Sequence, residues 1–376
     1  MSAPDEVIAQ SLTDASVHHG FMLLVNHGVD VHAERAAVLV EQRLTSSSTE
    51  ELEGWRRQRP GYGPGLQHSN HRPRRRTLEG EYYALAREDF VFVSPRDRVR
   101  KAAGDEHYTR KAAEIWYGDV EPLCPDHETC IAFSRYYSMV ESLSLRLQRL
   151  FALAVTRDPN AWTRHFEHHK SNLLAAFHRA DEGSNQADDG SNQTEGRHDR
   201  VAAHSDANLF TLIHYGGGAA DGAGGTASGA DGLEIFDRGC EGWMRVGSEQ
   251  IEGQRRAAGG KALLLNLGDE MAWLSNGRFL STPHRVVDRT AEGTPVGRRL
   301  ALIFFYAAAY DALLVPHVSA GDRPKFEPLL VGRHTYNFRT APAAQQHTFD
   351  EWARSVGLLA SGDEHGTALH MAKEEL

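Results

Sequence analysis

Two histidines and an aspartate carry the first chemical signal in this chain. His204 and Asp206 lie two positions apart, and His284 follows far downstream in the string Ser-Thr-Pro-His-Arg-Val-Val. Two imidazoles and one carboxylate can fill one face of an octahedral Fe(II), leaving the opposite face open for dioxygen and a further ligand. If His204 and Asp206 share a strand, alternation points both side chains to one side. His284 must then arrive on another strand that the fold lays alongside. With 21 histidines in the chain, the spacing alone does not separate a metal site from ordinary hydrogen-bonded polar residues.

The elements that must position these residues are readable in outline. Near the N-terminus a helix over 7–17 runs into an apolar strand, Phe21 to Val25, which a polar Asn26-His27-Gly28 turn ends. A second helix is expected over 33–44, and the Arg-, Pro- and Gly-rich stretch 54–81 reads as loop. The longest amphipathic pattern, 131–154, sets Phe133, Tyr137, Val140, Leu143, Leu147, Leu150 and Phe151 at three- and four-residue spacings, as a core-facing helix requires. The stretch 181–200 repeats Gly-Ser-Asn-Gln and reads as a surface loop. Short apolar runs broken by glycine follow: 209–215, 233–236, 261–267, 285–287 and 300–306. Such texture predicts an all-β sandwich or barrel, with 216–231 and 247–260 as lengthened connections.

Composition narrows the function classes. The chain has 376 residues, 40% hydrophobic and 24% charged, as an ordinary globular protein with a large core would have. A net charge of −10 argues against nucleic acid or an anionic membrane as the main partner. The basic cluster Arg56, Arg57, Arg59, Arg72 and Arg74 to Arg76 reads as a solvated loop. Only Cys124, Cys130 and Cys240 are present, which speaks for a reducing compartment and against a disulfide framework. Cys124, His127 and Cys130 lack a fourth ligand for structural zinc. With no signal-peptide pattern or membrane-length apolar run, a cytoplasmic location is expected.

From Asp206 onwards the strings fall into a known order. They are His204-Ser-Asp206, Leu209-Phe-Thr211, Gly232-Leu-Glu-Ile-Phe, Gly242-Trp243, Asn266-Leu-Gly268-Asp269, Ser275-Asn276-Gly277, Thr282-Pro-His284-Arg285 and Arg299-Leu-Ala301. In this order they resemble the isopenicillin N synthase-like group of 2-oxoglutarate/Fe(II)-dependent dioxygenases. Gly20-Phe21 with Asn26-His27-Gly28 resembles that group's N-terminal region, with Gly61-Tyr62-Gly63 and Ile115-Trp116 as weaker echoes.

The resemblance implies a mainly β fold with flanking helices around a double-stranded β-helix, or jelly-roll, core. It divides the chain into an N-terminal region 1–170, an oxygenase core 171–315 and a C-terminal extension 316–376. It further implies Fe(II) held by His204, Asp206 and His284, and 2-oxoglutarate as co-substrate with Arg299 on its distal carboxylate. A forked guanidinium suits that task. Two departures weaken the co-substrate half of the site. The group's serine two positions after the arginine is Ala301 here, and its assisting tyrosine is replaced by Phe177 or His178.

The expected activity is oxidation of a small organic metabolite by dioxygen, through hydroxylation, desaturation or cyclisation. Two alternatives stay open: an iron oxidase of the same fold that needs no 2-oxoglutarate, and a jelly-roll binding protein without catalysis. Asn266, Gly268, Asp269, Asn276 and Gly277 read as turn and barrel residues, Phe304, Phe305, Trp243 and Trp273 as packing, and Thr211 receives no role. Substrate identity and oligomeric state are not readable.

Overall fold

The structure is a computed structural model of the whole chain. It describes residues 3–48, 50–52, 65–68, 74–77, 80–83, 88–93, 126–178, 199–216, 232–246, 253, 257, 262–287, 299–309, 312–331 and 334. The stretches read as loops at 181–200, 216–231 and 247–260 fall almost wholly outside these residues, except that Asp199 and Arg200 open a strand and Gly216 ends one; Gly61 to Gly63, Ile115-Trp116, Cys124 and Arg298 also lie outside them.

Chain order runs α1 (Asp5–His18), β1 (Phe21–Val25), α2 (Asp30–Ser46), β2 (Gly65–His68), β3 (Arg74–Thr77), β4 (Gly80–Tyr83), β5 (Glu88–Val93) and α3 (His127–Thr156). Next come α4 (Thr163–Phe166), β6 (Asn172–His178), β7 (Asp199–His204), β8 (Phe210–Gly216), β9 (Leu233–Asp237), β10 (Gly242–Arg245) and β11 (Ala262–Leu267). The series closes with α5 (Asp269–Leu274), β12 (His284–Val287), β13 (Arg299–Tyr306), β14 (Leu313–Leu314) and β15 (Leu329–Leu330). Strands β2 and β3 and the start of β4 lie inside the stretch read as loop. Four-residue strands such as Arg-Arg-Arg-Thr carry no apolar alternation, so their sequence gives no period-two signal.

Strands β6 to β13 form two sheets. The larger runs β1-β11-β8-β13-β6-β5-β2, the smaller β10-β9-β12-β7, and every pairing within them is antiparallel. Consecutive strands β6, β7, β8 and β9 thus alternate between sheets, which is jelly-roll topology, and the expected double-stranded β-helix is present. The N-terminal residues are built into it. β1 pairs with β11, and β5 and β2 extend the other edge beyond β6.

Alternation in β13 divides the two faces of the larger sheet. Leu300, Leu302, Phe304 and Tyr306 join one buried cluster with Val40 of α2 and with Phe133, Tyr137, Val140 and Phe151 of α3. Ala301, Ile303 and Phe305 share the opposite parity, where Ile303 and Phe305 pack with Leu174 and Ala176. Helix α3 follows its stripe as read, and Asp126 caps its start by accepting a 2.8 Å hydrogen bond from the Thr129 amide. Cys130 in its first turn is disulfide-bonded, which departs from the reducing compartment expected from the sequence, whereas Cys240 is free and exposed. No helix among the described residues is long and apolar enough to cross a membrane.

Candidate metal centre

His204 ends β7 and His284 begins β12, and the two residues are direct partners in the antiparallel pairing of these strands. Their rings lie 4.3 Å apart between centroids. Asp206 sits beyond the end of β7, so its carboxylate reaches the histidines from the turn into β8, not by alternation along one strand as expected. His204, Asp206 and His284 each present one donor atom, and the three donors lie within 4.8 Å of one another. Among the described residues this is the one such group of His, Cys, Asp or Glu.

His284 and Asp206 are held from behind. The Nδ1–H of His284 can donate to the Thr282 carbonyl at 3.2 Å, which leaves the Nε2 lone pair for a ligand role. Thr211 and Asn266 both donate to the same oxygen of Asp206, Oδ2, at 2.5 and 2.7 Å. Asn208 in turn donates to the Thr211 hydroxyl at 3.0 Å. The other oxygen, Oδ1, lies 3.7 Å from His204 Nε2, on the side of the histidines. One carboxylate oxygen is thus occupied by protein donors, and the other is turned towards the place a cation would take.

Burial pushes the Asp206 carboxyl up, but His284, His204 and the hydrogen bonds from Thr211 and Asn266 outweigh it and hold the group below the usual carboxylate range. Burial, seconded by His204, presses His284 down to about 4 against the pull of Asp206. At neutral pH these two groups therefore stand as an anionic carboxylate and a neutral imidazole, the forms that ligate metal. Two imidazoles and one carboxylate oxygen suit a divalent first-row transition ion with positions left open.

The surrounding backbone is tied tightly. Asp269 and Glu270 amides donate to the Asp206 and Asn208 carbonyls at 2.7 and 3.1 Å. A Cβ on Gly268 would stand 2.2 Å from the Asn208 carbonyl oxygen and 2.7 Å from that of Asp206, so only glycine permits this approach. Arg285, the residue after the second histidine, places Nε and Nη2 each 2.7 Å from Glu234 Oε2 on β9 and stacks 3.9 Å over Trp243. That clamp fixes β12 to its neighbour. Thr282 donates to the His19 carbonyl at 2.6 Å, bracing the approach to His284 against the end of α1.

A cross-strand row of the larger sheet faces the triad. It reads Phe21, Asn266, Thr211, Phe305, Asn172 and Val93, each paired with the next. Phe21 sets its ring edge-on to His284 at 5.4 Å, and Asn266 and Thr211 hold Asp206, so Phe305 and Asn172 continue the same wall. Arg299 opens β13 opposite His178 of β6, and the side chains of both lie outside the described residues. By parity, position 299 shares the face of Ala301, Ile303 and Phe305. Phe177 is fully buried in the helix-facing cluster, so of the two positions read for the missing tyrosine only 178 has the inward parity.

Residues 187–308 match the model of the 2OG-Fe(II) oxygenase superfamily. That stretch is a domain of the 2-oxoglutarate/Fe(II)-dependent oxygenase superfamily. The chain is accordingly an oxidoreductase that uses Fe(II) with 2-oxoglutarate as co-substrate. A bifunctional coumaroyl-CoA and feruloyl-CoA ortho-hydroxylase of Ruta graveolens is 22% identical over 91% of this chain and 78% of its own length. The validamycin A dioxygenase of Streptomyces hygroscopicus subsp. limoneus is 26% identical over 84% of this chain and 76% of its own. Among solved structures, a 2OG-Fe(II) oxygenase family protein of Caulobacter crescentus superposes with a TM-score of 0.60 at 17% identity, covering 89% of this chain and 93% of that one. At that identity the superposition speaks for the fold. The outcome favours the oxygenase reading over a non-catalytic jelly roll.

Sequence reasoning left Thr211 without a role and read Asn266 as a barrel-shaping residue. Both hold the Asp206 carboxylate instead. The signal available was parity: Asn266 is next to last in β11 and pairs with Thr211, second in β8, just after the turn that carries Asp206.

Proposed function

We propose that His204, Asp206 and His284 hold the iron and that Arg299 anchors the distal carboxylate of 2-oxoglutarate, so that the enzyme oxidises a small, largely apolar or aromatic metabolite. The observation that carries the metal assignment is the split of the Asp206 carboxylate, with Oδ2 taken by Thr211 and Asn266 and Oδ1 left on the histidine side. Fe(II) bound there, with its keto-acid partner, supplies the activation of dioxygen. The protein's share is to orient the ligands and keep the interior dry. His284 meets the ion as a neutral donor because its Nδ1–H is engaged by Thr282. The apolar inner faces limit water around the reacting centre. Ile213, Leu264 and Val286 contribute on one side, and Leu174, Ile303 and Phe305 on the other.

The substrate class follows from that wall. Phe21 and Phe305 flank the triad, and of the two polar neighbours of Phe305 in the row Thr211 is engaged by Asp206, which leaves Asn172 for a substrate. An apolar or aromatic carbon skeleton with a single polar contact fits such a lining. Hydroxylation, desaturation and cyclisation are all compatible with it. The motif order supports placement in the isopenicillin N synthase-like group. We also propose the three-part division at 1–170, 171–315 and 316–376, the first part lending β1, β2 and β5 to the core's larger sheet. The chain's three cysteines favour a cytoplasmic compartment and the disulfide at Cys130 weighs against it; alkylation of Cys130 in protein taken from cells decides it, a free thiol supporting the proposal and an oxidised one removing it.

The functional test is succinate release from 2-oxoglutarate under air with Fe(II). Slow uncoupled succinate formation, stimulated by an aromatic or apolar substrate, is expected. Substrate oxidation without succinate would instead establish an oxidase that draws its electrons from the substrate alone.

A further inference from the structure

Ala301 leaves the co-substrate's distal carboxylate short of one hydroxyl, and the sheet register shows where a replacement stands. Ala301 of β13 pairs directly with Tyr215 of β8 on one side and with Ala176 of β6 on the other. Directly opposed residues in an antiparallel pair hold their Cβ atoms about 5 Å apart, and the diagonal neighbour is within reach of an aromatic or long side chain. Tyr215 is therefore the direct cross-strand neighbour of position 301 and the diagonal neighbour of position 299. It lies on the same inner face, since Tyr215 and Ile213 pack against Leu233, Leu264 and Val286 between the two sheets.

The choice of hydroxyl can be made by elimination. On the four central strands the described inner-face residues are Asn172, Leu174 and Ala176 on β6, Thr211, Ile213 and Tyr215 on β8, Ala262, Leu264 and Asn266 on β11, and Ala301, Ile303 and Phe305 on β13. Only Thr211 and Tyr215 among them carry a hydroxyl. Thr211 donates its proton to Asp206 and stands opposite Phe305, at the other end of β13 from Arg299. A tyrosine hydroxyl reaches further than a serine hydroxyl, and across one strand spacing it can come to the place a serine at 301 would serve. The absence of a β-carbon substituent on Ala301 leaves room for it.

We propose that Tyr215 is the co-substrate's second anchor, donating its phenolic hydrogen to the distal carboxylate held by Arg299 and replacing the serine lost at position 301. The inference rests on the assignment of Arg299 to that carboxylate. It makes Tyr215 a specificity residue for five-carbon diacid keto acids over short keto acids such as pyruvate.

The test is anaerobic titration of full-length, Fe(II)-loaded protein with 2-oxoglutarate, and in parallel with pyruvate, followed by the metal-to-ligand charge-transfer absorption. Wild type, Tyr215→Phe, Tyr215→Phe with Ala301→Ser, and Arg299→Gln are compared. Tyr215→Phe keeps the ring and its packing, and Fe(II) affinity measured on the same samples reports an intact fold. Loss of one hydrogen bond to a charged group predicts weaker 2-oxoglutarate binding by about tenfold or more. Pyruvate affinity is expected to stay unchanged, and adding serine at 301 to restore most of the loss. Equal 2-oxoglutarate affinity in wild type and Tyr215→Phe, while Arg299→Gln weakens it, overturns the role of Tyr215 and leaves Arg299 standing. Unchanged binding in Arg299→Gln, or no absorption band in wild type, overturns the underlying assignment and the inference with it. A Tyr215→Phe loss that extends equally to pyruvate also overturns it, because the effect then lies in general packing.

Discussion

At the level of single residues, Asp206 as a proposed iron ligand would set how many coordination positions stay open. A carboxylate that bound through both oxygens would take a position that dioxygen or the keto acid needs. Thr211 and Asn266 prevent this by holding Oδ2, and Asn208 keeps the Thr211 hydroxyl turned the right way. Such outer partners typically govern metal affinity by about 10- to 100-fold. Thr211→Val or Asn266→Leu is therefore expected to weaken Fe(II) binding by about that range in anaerobic competition with a chelator, with Thr211→Ser close to wild type. Wild-type affinity in both apolar variants would mean that Oδ2 needs no protein donor. His204 and His284 were legible from residue type and spacing. The pair behind Asp206 was not, because a threonine and an asparagine become partners of a carboxylate only through register.

Element by element, α5 is the piece that connects the metal loop to the rest of the core. It follows Gly268, whose bare backbone packs on the Asp206 and Asn208 carbonyls, and it buries Glu270 completely. Glu270 Oε2 accepts the Ala308 amide at 2.8 Å, tying α5 to the chain just past β13. Burial raises the Glu270 carboxyl to about 7, against the opposing pull of Lys170 and of the Ala308 hydrogen bond. A group whose folded value is raised favours the fold in its protonated form. Its stabilisation is complete below the ordinary glutamate value of about 4.3 and is lost as pH rises through the folded value. Thermal melts from pH 5 to 8 should show the wild type losing a few degrees relative to Glu270→Gln, whose neutral amide does not titrate. Parallel pH curves for the two proteins would mean that Glu270 is charged in the fold throughout. The helix itself was invisible to hydrophobic periodicity, being one and a half turns long, and the Asn-Leu-Gly-Asp string was its only trace.

For the whole molecule, the fold class was legible and the integration of the N-terminal residues was not. Phe21 to Val25 was read as a strand, yet nothing local says that it pairs with β11 and sets Phe21 against His284. That long-range pairing makes the N-terminal segment part of the wall of the proposed metal site. The five apolar runs after residue 208 became strands within a residue or two of their expected bounds, because each is a short apolar run set off by glycine or turn breaks, and all but β11 carry β-branched or aromatic residues. β7, which carries His204, has the sequence Asp-Arg-Val-Ala-Ala-His and no such texture. The most direct measurement of the central claim is iron uptake by full-length protein reconstituted anaerobically. The wild type should bind about one Fe(II) per chain, as a single 2-His-1-carboxylate site requires. Asp206→Ala and His284→Ala should bind none at the same free iron concentration while keeping the wild-type circular dichroism. Equal iron uptake by folded variants would contradict the assignment of the metal to His204, Asp206 and His284.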